Sequence, residues 1–104
     1  MERYKVILAE TAERDLVEIL GYIGSVLHEP KTAERIYSSL KAQIQSLSEM
    51  PLRYSAVREE PYRTMGVRRM PAENYSVFYT VDAVGKSVAV FRILYGRREW
   101  ENLL

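Results

Sequence analysis

Five arginines, in three clusters, carry most of the chemistry this sequence could do: the pair Arg68-Arg69, the isolated Arg92, and the pair Arg97-Arg98 directly after Gly96. A guanidinium is planar, permanently charged and forked, so it suits the binding of phosphates or carboxylates through paired hydrogen bonds. What these arginines lack is company for covalent or acid–base work. There is no cysteine and a single histidine, and neither a glycine-rich phosphate loop nor a metal-ligand spacing occurs. No metal and no cofactor is therefore expected. His28 falls where a helix should end, a place where imidazole is better used on terminal carbonyls and the helix dipole than as a base. The residues thus point to anion binding. A second reading stays open, in which the arginines merely solvate a sheet surface or pair with Glu99 and Glu101 at little gain.

The elements that must position these side chains follow from apolar spacing. Tyr4, Val6 and Leu8 alternate with Arg3, Lys5 and Ile7, which predicts a strand over Arg3–Leu8 with one face buried. Ala12, Leu16, Ile19, Leu20, Ile23 and Leu27 then recur at helical spacing; Thr11 is the candidate cap, and Glu13 and Asp15 suit the first turn. This predicts a helix over Ala12–Leu27. The short link His28-Glu29-Pro30 leads into a second helix over Lys31–Glu49, whose apolar stripe is Ala33, Ile36, Tyr37, Leu40, Ile44 and Leu47 and which Pro51 ends.

Pro51–Thr64 has no sustained period and reads as a loop. Three strands follow, Met65–Met70, Tyr75–Val81 and Ser87–Tyr95, joined by turns at Pro71–Asn74 and at Asp82–Lys86, where Gly85 is available for positive φ. The expected fold is α+β: an N-terminal strand, a helical hairpin, then a three-stranded antiparallel meander, forming one sheet with the helices on one face. In the last strand, alternation assigns Phe91 and Ile93 to the helix-facing core and sends Arg92 to the uncovered face. Tyr37, Tyr75 and Tyr79 fit core positions.

At 104 residues the chain has room for one domain, 1–104, and its 47% apolar and 28% charged content suits a folded one. The absence of cysteine suits a cytoplasmic location, and no run of apolar residues approaches a membrane span. The net charge is +1, but residues 1–60 hold 8 basic and 10 acidic side chains against 7 and 4 in residues 61–104. That basic C-terminal part fits a polyanion or an acidic partner, and equally an ordinary surface. Trp100, Leu103 and Leu104 give the sequence an apolar ending, which either docks on the domain or helps form a groove for a partner.

Taken together, Ala12-Glu13-Arg14-Asp15-Leu16, Ile44-Gln45-Ser46-Leu47 before Met50-Pro51, Asn74–Tyr79, and Arg92-Ile93-Leu94-Tyr95-Gly96-Arg97-Arg98 resemble the RelE/ParE toxin superfamily. The resemblance covers essentially the whole chain and lies closer to the ParE-like, plasmid-stabilisation branch. It implies a toxin of a type II toxin–antitoxin module, wrapped by a cognate antitoxin that also connects it, indirectly, to operator DNA. RelE-like members cleave mRNA on the ribosome, and ParE-like members inhibit DNA gyrase. The nuclease set of the former is incomplete here. Ser76 stands where an arginine should follow Tyr75, and Leu104 stands where a tyrosine should come six residues after Arg98.

Phosphoryl cleavage through a 2′-hydroxyl needs a base, an acid and cations, and arginines supply mainly the last. The expectation is therefore a growth-inhibiting toxin acting on a machine such as gyrase, with Arg68, Arg69, Arg92, Arg97 and Arg98 contacting the target and Trp100, Leu103 and Leu104 contacting the antitoxin. Two alternatives stand beside it: a metal-independent, ribosome-dependent endoribonuclease, in which Arg98 is the candidate catalytic residue, and a non-toxic remnant retained for antitoxin binding.

Overall fold

A computed structural model describes residues 2–96 and residue 104. The first strand, β1, is Lys5–Leu8, shorter than the expected Arg3–Leu8. Tyr4 has already left the sheet, its N–H bonded to the Ser48 carbonyl at 2.8 Å. Helix α1 is Glu10–Gly21 and continues as a π-helical turn, Tyr22–Val26. Its N-cap is Ala9, with no side-chain cap. Thr11 instead donates its hydroxyl hydrogen bond to the Phe91 carbonyl at 2.6 Å, so the residue expected to cap the helix ties it to the sheet. The turn closes with Glu29 N–H on the Ile23 carbonyl at 3.0 Å, and His28 takes the left-handed conformation (φ 55°) that ends such helices.

Helix α2 is Pro30–Gln45, opened by the expected proline and tightened into a 3₁₀ turn at Ser46–Ser48. Arg53 holds that end, donating to the carbonyls of Ser46 at 3.2 Å and Glu49 at 2.5 Å. The remaining strands are β2, Arg68–Ala72; β3, Tyr75–Asp82; and β4, Ser87–Tyr95. Strand β2 starts and ends later than expected, which cuts the first turn to Glu73 and Asn74, with Glu73 at φ 56°. In the second turn the positive φ falls on Lys86, at 54°. Gly85 serves a different need there. A Cβ would lie 2.5 Å from an Asp82 carboxylate oxygen, and the other oxygen of that carboxylate accepts the Val84 and Gly85 N–H groups.

The sheet order is β1-β4-β3-β2, with β1 parallel to β4 and the other pairs antiparallel. The helices cover one face. Val77, Tyr79, Val88, Val90, Met70 and Ile93 pack there against Ala12, Ile23, Ile36, Leu40, Ile44 and Leu47. Tyr75 lies at the margin of this core, whereas Tyr37 is 41% exposed and is not a core residue. The opposite face is not bare as expected. Phe78 and Leu94 bury themselves under Val57 and Val67, with Tyr62, Phe91 and Leu104 packed around them. The segment expected to be a loop therefore forms a second, smaller core, and residues 55–57 bond to the edge of β2 (Val57 N–H to the Val67 carbonyl, 2.9 Å). No helix among the described residues is long and apolar enough to cross a membrane.

Burial pushes the Tyr79 hydroxyl up to about 12, against the pull of Arg68 and Arg53, so it stays a neutral donor and bonds the Pro51 carbonyl at 2.6 Å. Removing that hydroxyl leaves a buried carbonyl without its partner. Tyr79→Phe is expected to destabilise the protein by about 1–2 kcal/mol, read as a lower urea midpoint at unchanged slope; an unchanged midpoint would mean that water replaces the bond.

Candidate functional site

The arginines separate according to what holds them. Residues 68 and 69 alternate, and their register partners are Tyr79 and Phe78, on opposite faces of the sheet. Arg68 follows Tyr79 to the helix-side margin and donates to the Tyr54 carbonyl at 2.6 Å, where it pins the chain after α2. It was expected among the target contacts, and here its guanidinium anchors the fold. Arg69 follows Phe78 to the other face. Its Nε donates to the Ser76 hydroxyl at 2.8 Å, and Ser76 donates in turn to the Gly96 carbonyl at 3.1 Å.

Arg92 is decided by a β-bulge. Phe78 pairs with Arg92 and Tyr79 with Val90, so Phe91 is the extra residue. In such a bulge two successive side chains leave on the same side. Phe91, expected in the helix-facing core with Ile93, therefore joins Phe78 in the second core, while Ile93 returns to the first. Arg92 does leave on the side of Phe78, but here β4 has run past the end of β1 and lies against α1. Its guanidinium turns round that edge onto Asp15, with Nε to Oδ2 at 2.7 Å and a second nitrogen to Oδ1 at 3.3 Å. The same Asp15 carboxylate accepts the Ile93 N–H at 3.0 Å. Arg92 is thus engaged inside the fold and does not open the anion receptor expected of it.

Other guanidiniums are also committed. Arg3 pairs with Glu49, Arg14 with Glu10 and Arg35 with Glu73, while Arg53 is spent on helix carbonyls. Among the described residues, Arg58, Arg63 and Arg69 are the arginines whose guanidinium has neither a salt bridge nor a hydrogen bond to a carbonyl. Arg58 and Arg69 line one depression of about 190 Å³ with Ser55 and Glu59. Arg69 also lines a second, of about 320 Å³, with Glu73, Asn74, Tyr75, Tyr95 and Gly96. Arg58 was missed in the sequence because it lies in a stretch without periodicity, where nothing signals that residues 55–57 bond to a strand. Arg97, Arg98, Trp100 and Leu103 lie outside the described residues; Leu104 packs into the second core.

The two ionisable groups that line the larger depression with Arg69 and whose titration is shifted are poorly suited to moving a proton at neutral pH. Hydrogen bonds from Ser39 (2.5 Å) and from Arg35 (3.1 Å) hold the Glu73 carboxyl below its ordinary value, so it is an ionised acceptor already in use. Burial, and then Tyr95, push the Tyr75 hydroxyl up.

The architecture is shared with solved toxin–antitoxin structures. A chain of the chromosomal ParDE system from P. aeruginosa superposes with a TM-score of 0.73 at 22% identity, covering 91% of this chain and 98% of that one. A chain of the RelBE2 toxin–antitoxin complex from Mycobacterium tuberculosis gives 0.63 at 22% identity, covering 89% and 98%. No curated protein matches. Residues 6–100 match the family described as the ParE toxin of the type II toxin–antitoxin system parDE, and the chain belongs to that family of RelE/ParE toxins.

Two measurements check this account of the charges. The Asp15–Arg92 pair is largely buried (side chains 14% and 25% exposed), so Asp15→Ala strands a cation and an N–H and is expected to cost about 2–3 kcal/mol in denaturant unfolding. Loss of the exposed Arg14–Glu10 pair in Arg14→Ala is expected to cost only about 0.3–0.5 kcal/mol. A comparable cost for both variants would refute the assignment. For Glu73, a folded-state value below the ordinary 4.5 means stability that is present above that pH and lost as pH falls through the folded value. Glu73→Gln should therefore be less stable than the parent at neutral pH, with the gap closing below about 4.5; a gap that persists in acid would contradict this.

Proposed function

We propose that this toxin is held inactive by a cognate antitoxin and, once released, inhibits an essential macromolecular machine, DNA gyrase being the first candidate. The observation that carries the reading is what surrounds Arg69. A forked cation is fixed by Ser76 at the surface, but Glu73, a carboxylate lining the same depression, is occupied and ionised, and the neighbouring Tyr75 hydroxyl is shifted away from the neutral range. That equipment binds an anion without moving a proton. It favours inhibition by binding over RNA cleavage. Arg69 and Arg98 are the target contacts under this reading, whereas Arg68 and Arg92 act through the fold.

An antitoxin partner is supported by the outer edge of β1. Strand β1 is an end strand of the sheet, and the groove beside it is lined by Val6, Leu8, Leu16, Tyr37, Lys41 and Ile44. An extended segment would find backbone donors and acceptors there next to apolar side chains.

Expression without the antitoxin should arrest growth and relax plasmid supercoiling while ribosome-bound mRNA stays intact, and Arg69→Ala should restore growth while still binding the antitoxin. Cuts placed at codon positions in mRNA would instead establish an endoribonuclease. Unimpaired growth at confirmed expression would identify a remnant with antitoxin binding alone.

A further inference from the structure

Apart from Tyr79, Ser76 is the only buried residue with a polar side chain among the described residues, at 2% exposed. It stands in β3 two positions before Phe78, on the face of the second core, paired with Leu94 of β4 and Pro71 of β2. Its hydroxyl has one proton, which goes to the Gly96 carbonyl at 3.1 Å, so a lone pair is what meets Arg69 Nε at 2.8 Å. Gly96 is held from its other side as well, its N–H donating to the Asn74 carbonyl at 2.8 Å. Packing alone does not call for this group, because an apolar side chain would fill the place without a hydroxyl to desolvate.

What the hydroxyl does is orient a cation. A guanidinium can grip an oxyanion by either of two edges: the side edge, made by Nε and one terminal nitrogen, or the end edge, made by both terminal nitrogens. Ser76 occupies Nε, and the terminal nitrogens of Arg69 have neither a hydrogen bond nor a salt bridge among the described residues. The end edge is therefore the one left to a ligand, already pointed and with less freedom to lose on binding. A lysine there would keep the charge but neither edge.

We propose that Ser76 is a positioning residue of this toxin, which turns the end edge of the Arg69 guanidinium toward an oxyanion on the target. The proposal rests on the reading of Arg69 as a target contact and adds what makes that contact directional. Ser76 acts through Arg69, since its own side chain is covered by the fold.

Two readouts test it. In the full chain, made by cell-free synthesis with isotope-labelled arginine, the Arg69 Nε–H signal is the one that Arg69→Lys removes. It should exchange with water about tenfold more slowly in the parent than in Ser76→Ala, while the Arg92 Nε–H, bonded to Asp15, is the same in both. The second readout is growth arrest on graded expression. Ser76→Ala should need about tenfold more protein than the parent to arrest growth. Ser76→Cys, which fills the same volume with a weak acceptor, should fail in the same way at an equal thermal midpoint. Ser76→Thr, which keeps the hydroxyl, should recover the loss, and Arg69→Lys should fall with Arg69→Ala.

An Arg69 Nε–H that exchanges equally fast with and without the Ser76 hydroxyl overturns the proposal, whatever the target. So does parent-like toxicity in folded Ser76→Ala or in Arg69→Lys; if Arg69→Ala is then still inactive, the target reading stands without Ser76. Growth arrest by Arg69→Ala equal to the parent's ends the target reading itself, and with it the role given to Ser76.

Discussion

A single carboxylate, that of Asp15, stands where three structural problems meet. Strand β1 ends at Leu8, so the second half of β4 is left with an open edge and an unpaired Ile93 N–H beside the start of α1. At the same point β4 carries an extra residue, Phe91, and a charged one, Arg92, in the middle of an apolar run. Asp15 accepts from both the N–H and the guanidinium, which satisfies the edge, neutralises the cation and fixes the helix against the sheet. Buried donors and charges are tolerated only when paired in this way.

The bulge that Asp15 stabilises is what gives the protein two cores. By sending Phe91 to the side of Phe78 and Leu94 while returning Ile93 to the helices, it allows one strand to serve both faces of the sheet. The second core in turn holds the segment around Val57 and Val67, and that segment brings Arg58 beside Arg69. Charge exposed on this face is therefore a consequence of packing several residues away.

The helices, the hairpin link and β4 were legible in the sequence because each repeats its apolar residues over many positions, and burial enforces that period. The bulge was not. Val88-Ala89-Val90-Phe91-Arg92-Ile93-Leu94 is apolar at both parities, so simple alternation placed Phe91 with Ile93. Thr11 looks like a helix cap for the same local reason, and only the strand arriving from residue 91 shows that its hydroxyl is used elsewhere. The candidate site was half legible: Arg69 could be named from its residue type, but Arg58, the commitments of Arg68 and Arg92, and the relay through Ser76 depend on contacts between distant parts of the chain.

The parallel pairing of β1 with β4 has a consequence for how this molecule comes into being. Strands that neighbour one another through hairpins can form as soon as they leave the ribosome, but Lys5–Leu8 has no sheet to join until Ser87–Val90 has been made. The whole stretch from residue 9 to residue 86 must therefore exist before the first strand finds a place, a non-local closure of the kind that slows folding. Meanwhile the apolar side chains of that strand and of both helices wait without their final cover, and the sheet of a growing chain closes only after β4 has been made.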